Sequence, residues 1–195
     1  MARPPSFNRD LAVDAALKLF WRKGYAATSL SELLEVMGVA RSSFYSTFSS
    51  KRELFIECLE LFGNRTLEFL VNPEVSSGNL ATIRAFFTKT VSEVPANRVS
   101  RGCMMVNTVL ELADVDPALK TMAQTKLDDI QAEFQHLLAN AQRAGELNKD
   151  HHPSQLAEAL MTLNLGIRVQ SRKQVDPVRL QQSIDTGLTL FKISA

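Results

Sequence analysis

The chain is poor in the residues that build disulfide frameworks and metal centres, holding two cysteines and three histidines in 195 residues. Cys58 and Cys103 lie far apart and neither belongs to a CxxC pair, so a disulfide scaffold is excluded and a reducing cytoplasm is the expected setting. No apolar run approaches the roughly 18 residues of a membrane span, and the opening MARPPSFNRD has no apolar signal core, so no membrane partner is expected. A phosphate-cradling glycine loop, a metal-ligand spacing and a nucleophile motif are also missing. These absences argue against an enzyme and leave the expected cofactors and metals at none. Asp150-His151-His152 does not alter that, because adjacent histidines in a loop rarely converge on one ion. Strand-like alternation, repeats and low-complexity tracts are absent too, and the expected class is all-α.

Helical periodicity runs through nearly the whole chain, and 45% hydrophobic residues suffice for a substantial core. From Asn8, a plausible N-cap, the residues Ala12, Ala15, Ala16, Leu19 and Phe20 share one face, and Arg22-Lys23 followed by Gly24 suits a helix end. Thr28 or Ser29 then caps a second helix, with Glu32 placed for a capping box. Gly38-Val39 joins that helix to a third, Arg41 to Phe48, in the arrangement of a helix-turn-helix. On the third helix Phe44 and Phe48 point inward at i, i+4, so Arg41, Ser42, Ser43, Tyr45 and Thr47 point away. Arg3, in the proline-rich lead-in, is a further cation that could trail into a DNA groove.

Charge follows the same division. The net charge of +1 conceals eight Lys/Arg against four Asp/Glu in residues 1–52, and fourteen against seventeen in the remainder. A basic excess confined to the helix-turn-helix segment is what a phosphate-facing head needs. Arg41 is the base-reading candidate, since its guanidinium fork matches O6 and N7 of guanine.

The residues Ala16, Phe20, Gly24, Tyr25, Thr28, Gly38-Val39, Phe44-Tyr45, Phe48, Ser50-Lys51 and Leu54 resemble the DNA-binding domain of the TetR family of one-component bacterial regulators. Ala40 stands where that pattern commonly has a capping Ser or Thr, and Ser42 where it often has glycine. The resemblance implies that the third helix enters the major groove and that Thr28, Tyr45 and Lys51 grip phosphates. It divides the chain into a DNA-binding head, residues 1–52, and a helical effector-binding and dimerisation body, residues 53–195. The long helix from Ser50 would be the lever between them. The implied function is a homodimeric regulator of transcription, a repressor released from palindromic double-stranded operator DNA by a small molecule or an electrophile or oxidant. An activator of the same fold is the alternative.

The body reads as further helices: Leu80 to Val94, the stretch after Arg101-Gly102-Cys103, a long one from Asp116-Pro117 to about Ala144, then Ser154 to Ser171 and Asp176 to Phe191. The resemblance implies that the last two helices pair with those of a second copy as a four-helix bundle, with Leu160, Leu163, Ile167, Ile184, Leu188 and Phe191 as the candidate faces of the dimer interface. Phe62, Phe69, Phe86, Cys103, Asn107, Glu111, Phe134 and Met161 are the candidate effector-pocket residues, being mostly apolar with a few polar groups. Gly102-Cys103 opening a helix also resembles the position used by family members that sense electrophiles, and Arg98 and Arg101 would favour the thiolate there. The rival reading, a helical enzyme or ligand carrier, would rest on Glu111, His136 and Cys103.

Overall fold

Nine α-helices make up the described part of the computed structural model, which covers residues 8–72, 74, 78–91, 101–173 and 176–193. Arg3 and Arg98 lie outside those residues. The helices are α1 (Arg9–Lys23), α2 (Leu30–Met37), α3 (Arg41–Phe48), α4 (Lys51–Val71), α5 (Asn79–Val91), α6 (Met104–Leu112), α7 (Pro117–Ala144), α8 (Pro153–Arg172) and α9 (Pro177–Leu190). The all-α expectation holds, and the helices of head and body fall where periodicity puts them.

Local chemistry sets the ends. Asn8 caps α1 by accepting from the Leu11 N–H, and Asp116 and Asp176 do the same for α7 and α9, each followed by proline at the first helical turn. Of the two candidates for the α2 cap, Ser29 is the one used: it forms a complete capping box with Glu32. Gly38 closes α2 in the left-handed conformation (φ 65°, ψ 35°) that the tight turn demands. Gly24 departs from the expected left-handed helix end, with φ 86° and ψ 175°, a region essentially restricted to glycine. α3 begins without a side-chain cap, as Ala40 implies, which forgoes about 1 kcal/mol of local stability.

Two apolar clusters organise the interior. The head cluster holds Phe20, Leu33, Phe44 and Phe48, but it also takes Leu54, Phe55, Cys58 and Leu59 from α4 and Met104, Leu112 and Leu119 from the body. A boundary at residue 52 therefore cuts α4 just after it begins, while the head's packing continues to Leu59. The body cluster is built from the end of α4 and from α5 to α9, around Leu70, Ile83, Phe87, Phe134, Leu138, Leu160 and Ile184. Phe62 packs against both clusters, so α4 joins two cores.

The predicted dimer face is largely internal. Leu160, Ile184 and Leu188 are 0% exposed and Ile167 is 3% exposed, because the most apolar stripe of each helix turns toward the chain's own core. Leu163 and Phe191 are the two that reach the surface, along an open groove of about 1370 Å³ between α8 and α9. That groove is bordered by Ala159, Thr162, Gly166, Ser183, Thr186 and Leu190. Gly187 lets the two helices come close, since a Cβ there would lie 2.7 Å from the Leu163 side chain. At Gly166 nothing lies within 4 Å of such an atom.

Candidate nucleic-acid interface and body cavity

α3 is anchored by its two inward phenylalanines. Phe44 and Phe48 are buried, their ring centroids 5.6 Å apart, and the Arg9 guanidinium covers the Phe48 ring at 5.1 Å. Arg41, Ser42, Ser43 and Tyr45 are exposed around the remainder of the helix, with Thr47 half-buried. The Tyr45 ring meets Phe44 edge-on at 5.4 Å, so the phenol sits on a braced arm. Arg41, Ser42 and Ser43 lie in the first turn of α3, the part of a recognition helix that meets base edges, and Tyr45 and Thr47 follow in the second half.

Of the two other expected phosphate grips, Thr28 is turned inward and Lys51 is not. Thr28 is 1% exposed and its hydroxyl donates to the Gly24 carbonyl at 2.6 Å. Its small polar side chain closes the end of α1, a capping role that the sequence alone does not separate from a phosphate contact. Lys51 is partly exposed at the start of α4, with its ammonium 4.4 Å above the Tyr25 ring. Burial lowers its pKa despite the nearby Glu111 carboxylate. It remains beside the free N–H groups of the α4 terminus, where an anion is favoured.

A joint between head and body lies behind this surface. The Glu111 carboxylate on α6 accepts from the Tyr25 N–H at 3.0 Å and the Ala26 N–H at 2.7 Å. A Cβ on Gly24 would come within 2.5 Å of the same carboxylate, so a side chain there would have to displace Glu111 as well as adopt the glycine-favouring backbone angle. Arg52 reaches Asp116 through two hydrogen bonds, at 3.0 and 3.3 Å, and holds its carboxyl below the ordinary range. The Trp21 indole N–H donates to the Gly102 carbonyl at 3.1 Å. α1 is thus tied to the loop that opens α6.

A cavity of about 460 Å³ opens beside that indole, within the size range of small-molecule sites. Its walls come from α1 (Leu17, Trp21), α4 (Phe62, Phe69), α5 (Phe86) and α8 (Arg168). Three of the eight predicted pocket residues, Phe62, Phe69 and Phe86, line it. Phe134 is 0% exposed between Phe86 and Phe87, and Met161 and Cys103 are 5% and 4% exposed; all three belong to the body core instead. Asn107 and Glu111 border a separate hollow near Gly24 on another side of α6. Trp21 and Arg168 were missed, because their helices are remote in sequence and no spacing connects them.

Cys103 occupies the N-cap position of α6 without a side-chain capping bond. Arg101, the nearest sequence-predicted cation, has its guanidinium 5.8 Å from the Trp21 ring. The groups named for the rival enzyme reading have separate partners: Glu111 holds the head, Cys103 is buried, and His136 is exposed near Glu133 and Asn140. Among the described residues no three His, Cys, Asp or Glu side chains could hold a metal ion together, and no helix is long and apolar enough to cross a membrane.

Comparison with known proteins agrees with this arrangement. Residues 12–58 match the family model of bacterial regulatory proteins, tetR family, and residues 79–186 match the tetracyclin repressor-like C-terminal domain. An uncharacterized HTH-type transcriptional regulator of Bacillus subtilis, YezE, is 28% identical over 193 residues, covering 98% of this chain and 100% of that protein. The HTH-type transcriptional repressor ComR of Escherichia coli is 27% identical over 195 residues, covering 97% and 91%. A cysteine mutant of the TetR family transcriptional regulator CifR, complexed with 26-bp double-strand operator DNA, superposes with a TM-score of 0.79 at 26% identity, covering 96% and 98%.

Proposed function

The chain belongs to the TetR family and is a DNA-binding transcription regulator, not an enzyme; from that premise we propose that it is a homodimeric repressor released from operator DNA by a small molecule. The observation that carries this reading is the α3 surface: Arg41, Ser42, Ser43 and Tyr45 stand exposed on a helix whose other side is locked by Phe44 and Phe48. Arg41 reads a guanine edge, Tyr45 and Lys51 hold phosphates, and Ser42, Ser43 and Thr47 complete the contact surface. The hydroxyl proton of Thr28 is committed within the head, so Thr28 is left out of the grip.

Two heads are needed to read a palindrome. The pairing surface is the α8–α9 groove, where Ala159, Thr162 and Gly166 face Ser183, Thr186 and Leu190. Small residues let a second copy's helices approach, and Leu190, 76% exposed, supplies an apolar contact. The cell compartment is the cytoplasm, where operator DNA is found. The functional boundary runs through α4 after Leu59 and not at residue 52, since α4 completes the head's core before it enters the body.

Release follows from the joint. A ligand in the cavity beside Trp21 favours one placement of α1 against α6, and the two placements differ in head spacing. The repressor sign is supported by the name of the Escherichia coli relative ComR. A second trigger is Cys103: it adjoins Gly102, the residue that accepts the Trp21 indole bond, so a bulky adduct on its sulfur disturbs the same joint.

A gel-shift titration against the DNA upstream of its own coding sequence tests the reading. The expected result is a specific complex whose affinity falls steeply with salt. Absence of specific binding at moderate salt contradicts it. For the thiol trigger, complete Cys103 alkylation with undiminished operator affinity removes that route alone.

A further inference from the structure

The cavity beside Trp21 combines aromatic walls with an excess of positive charge. Lys18, Arg65, Lys89 and Arg168 line it against the single carboxylate of Asp14. Asp14 is already engaged, by Lys18 at 2.5 Å and Arg65 at 2.7 Å. Burial works to raise the pKa of Asp14, but hydrogen bonds from these two cations outweigh it and keep the carboxyl ionised.

The other two cations are placed differently. Arg168 donates from Nε to the Asn164 side-chain oxygen at 3.3 Å, and its guanidinium stands 6.0 Å from the Phe86 centroid. Lys89, exposed at the cavity mouth, has its ammonium 3.9 Å above the Phe69 ring. Among the described residues no carboxylate pairs with either. Burial works against the Arg168 charge and lowers its pKa. A guanidinium in that position gains most from an anionic partner, which it can meet through two parallel N–H bonds.

We propose that the effector is a small aromatic or aliphatic carboxylate, its carboxyl group received by Arg168 and Lys89 and its apolar body by Trp21, Phe62, Phe69 and Phe86. This rests on the regulator reading above and adds the chemical class of its ligand. An amine of the same shape is repelled by the charge excess, and a neutral amide leaves both cations without a counter-charge. The ligand touches the head directly, because Trp21 carries the indole bond between α1 and Gly102.

Trp21 is the chain's one tryptophan, so its fluorescence in the full-length protein reports occupancy of this cavity. Benzoate, 3-phenylpropanoate and hexanoate are titrated beside the amide and amine counterpart of each. The expected result is saturable binding of at least one carboxylate, about tenfold or more tighter than its amide, with the amine weaker still. In R168M the carboxylate and amide affinities converge. K89M, altered at the exposed mouth, narrows the gap less and provides the comparison if R168M fails to fold. No carboxylate binding, an amide or amine that binds as well, or an unchanged preference in a folded R168M overturns the proposal.

Operator affinity measured in the same samples separates this from the regulator reading. Carboxylate preference without operator release keeps the ligand class and removes the release mechanism. Operator release by another class of compound, with no carboxylate bound, does the reverse.

Discussion

The core of the head packs its phenylalanines tightly, whereas the joint between head and body leaves aromatic side chains around a void. Phe20, Phe44 and Phe55 are 0–1% exposed and Phe48 only 4%, with Phe20 and Phe55 edge-on at 4.9 Å. Trp21, Phe62 and Phe69 are partly exposed along the 460 Å³ cavity. The difference matches two tasks. A reading surface must be rigid if α3 is to hold its side chains in register with base edges, while an effector site must have room to be filled. The contrast is sharpest on α4, whose first half fills the head and whose second half borders the cavity.

The largest expected effect tests that contrast along one helix. Phe55→Ala should cost about 3–5 kcal/mol, the range for emptying a fully packed aromatic site, whereas Phe69→Ala should cost clearly less because its ring already faces open space. Urea unfolding of both variants measures this, and equal losses would erase the distinction between a closed core and a lined cavity.

The reading surface itself can be separated from stability. Arg41→Ala should lose roughly 1–3 kcal/mol of discrimination at one base pair, with the urea midpoint unchanged because the side chain is exposed on α3. Substituting each operator position in turn against both proteins shows whether the loss is confined to a guanine. A uniform loss across all positions would make Arg41 a phosphate contact instead.

At the joint, Glu111→Gln removes the charge that receives the Tyr25 and Ala26 N–H groups. The expected loss is about 1–2 kcal/mol, since bonds to a charged acceptor become bonds to a neutral one. Hydrogen exchange at those two amides should quicken while the amides of α2 and α3 remain protected. Unchanged exchange would show that head and body are held by apolar packing alone.

The smallest effect is a pH dependence confined to the head. Glu32 is held at about 2, from an ordinary value of 4.5, chiefly by the Lys23 hydrogen bond and then by Ser29. A depressed carboxyl contributes stability that is present above its unfolded value and disappears as pH falls toward its folded one. The α2 capping box should therefore weaken between about pH 4.5 and 2. Glu32→Gln should flatten the stability curve in that window and leave it unaltered near pH 7, apart from a constant offset.

Much of the head is legible in the sequence because its chemistry is local. Asn8, Gly38 and the Ser29–Glu32 box act within a few residues, and the i, i+4 pair Phe44 and Phe48 fixes which side of α3 faces out. Thr28 shows the limit: one short hydroxyl side chain can cap the preceding helix or meet a phosphate, and only its 2.6 Å bond to Gly24 distinguishes them here. The body is less legible because its site is assembled from separate helices. Apolar periodicity at Leu160, Ile184 and Leu188 finds the stripe turned to the chain's own core, not the face left open by α8 and α9, where Leu163, Leu190 and Phe191 stand among small and polar residues. Glu111 leaves no pattern at all, since its partners are backbone N–H groups 85 residues or more away.

The most direct test of the central claim, that the exposed face of α3 reads a duplex in pairs, is selection from a randomised DNA library with the full-length protein. The expected result is an enriched inverted repeat with at least one guanine contact per half-site, lost at that guanine when Arg41→Ala is used. Enrichment of a single unrepeated half-site, or of no sequence at all, would contradict it.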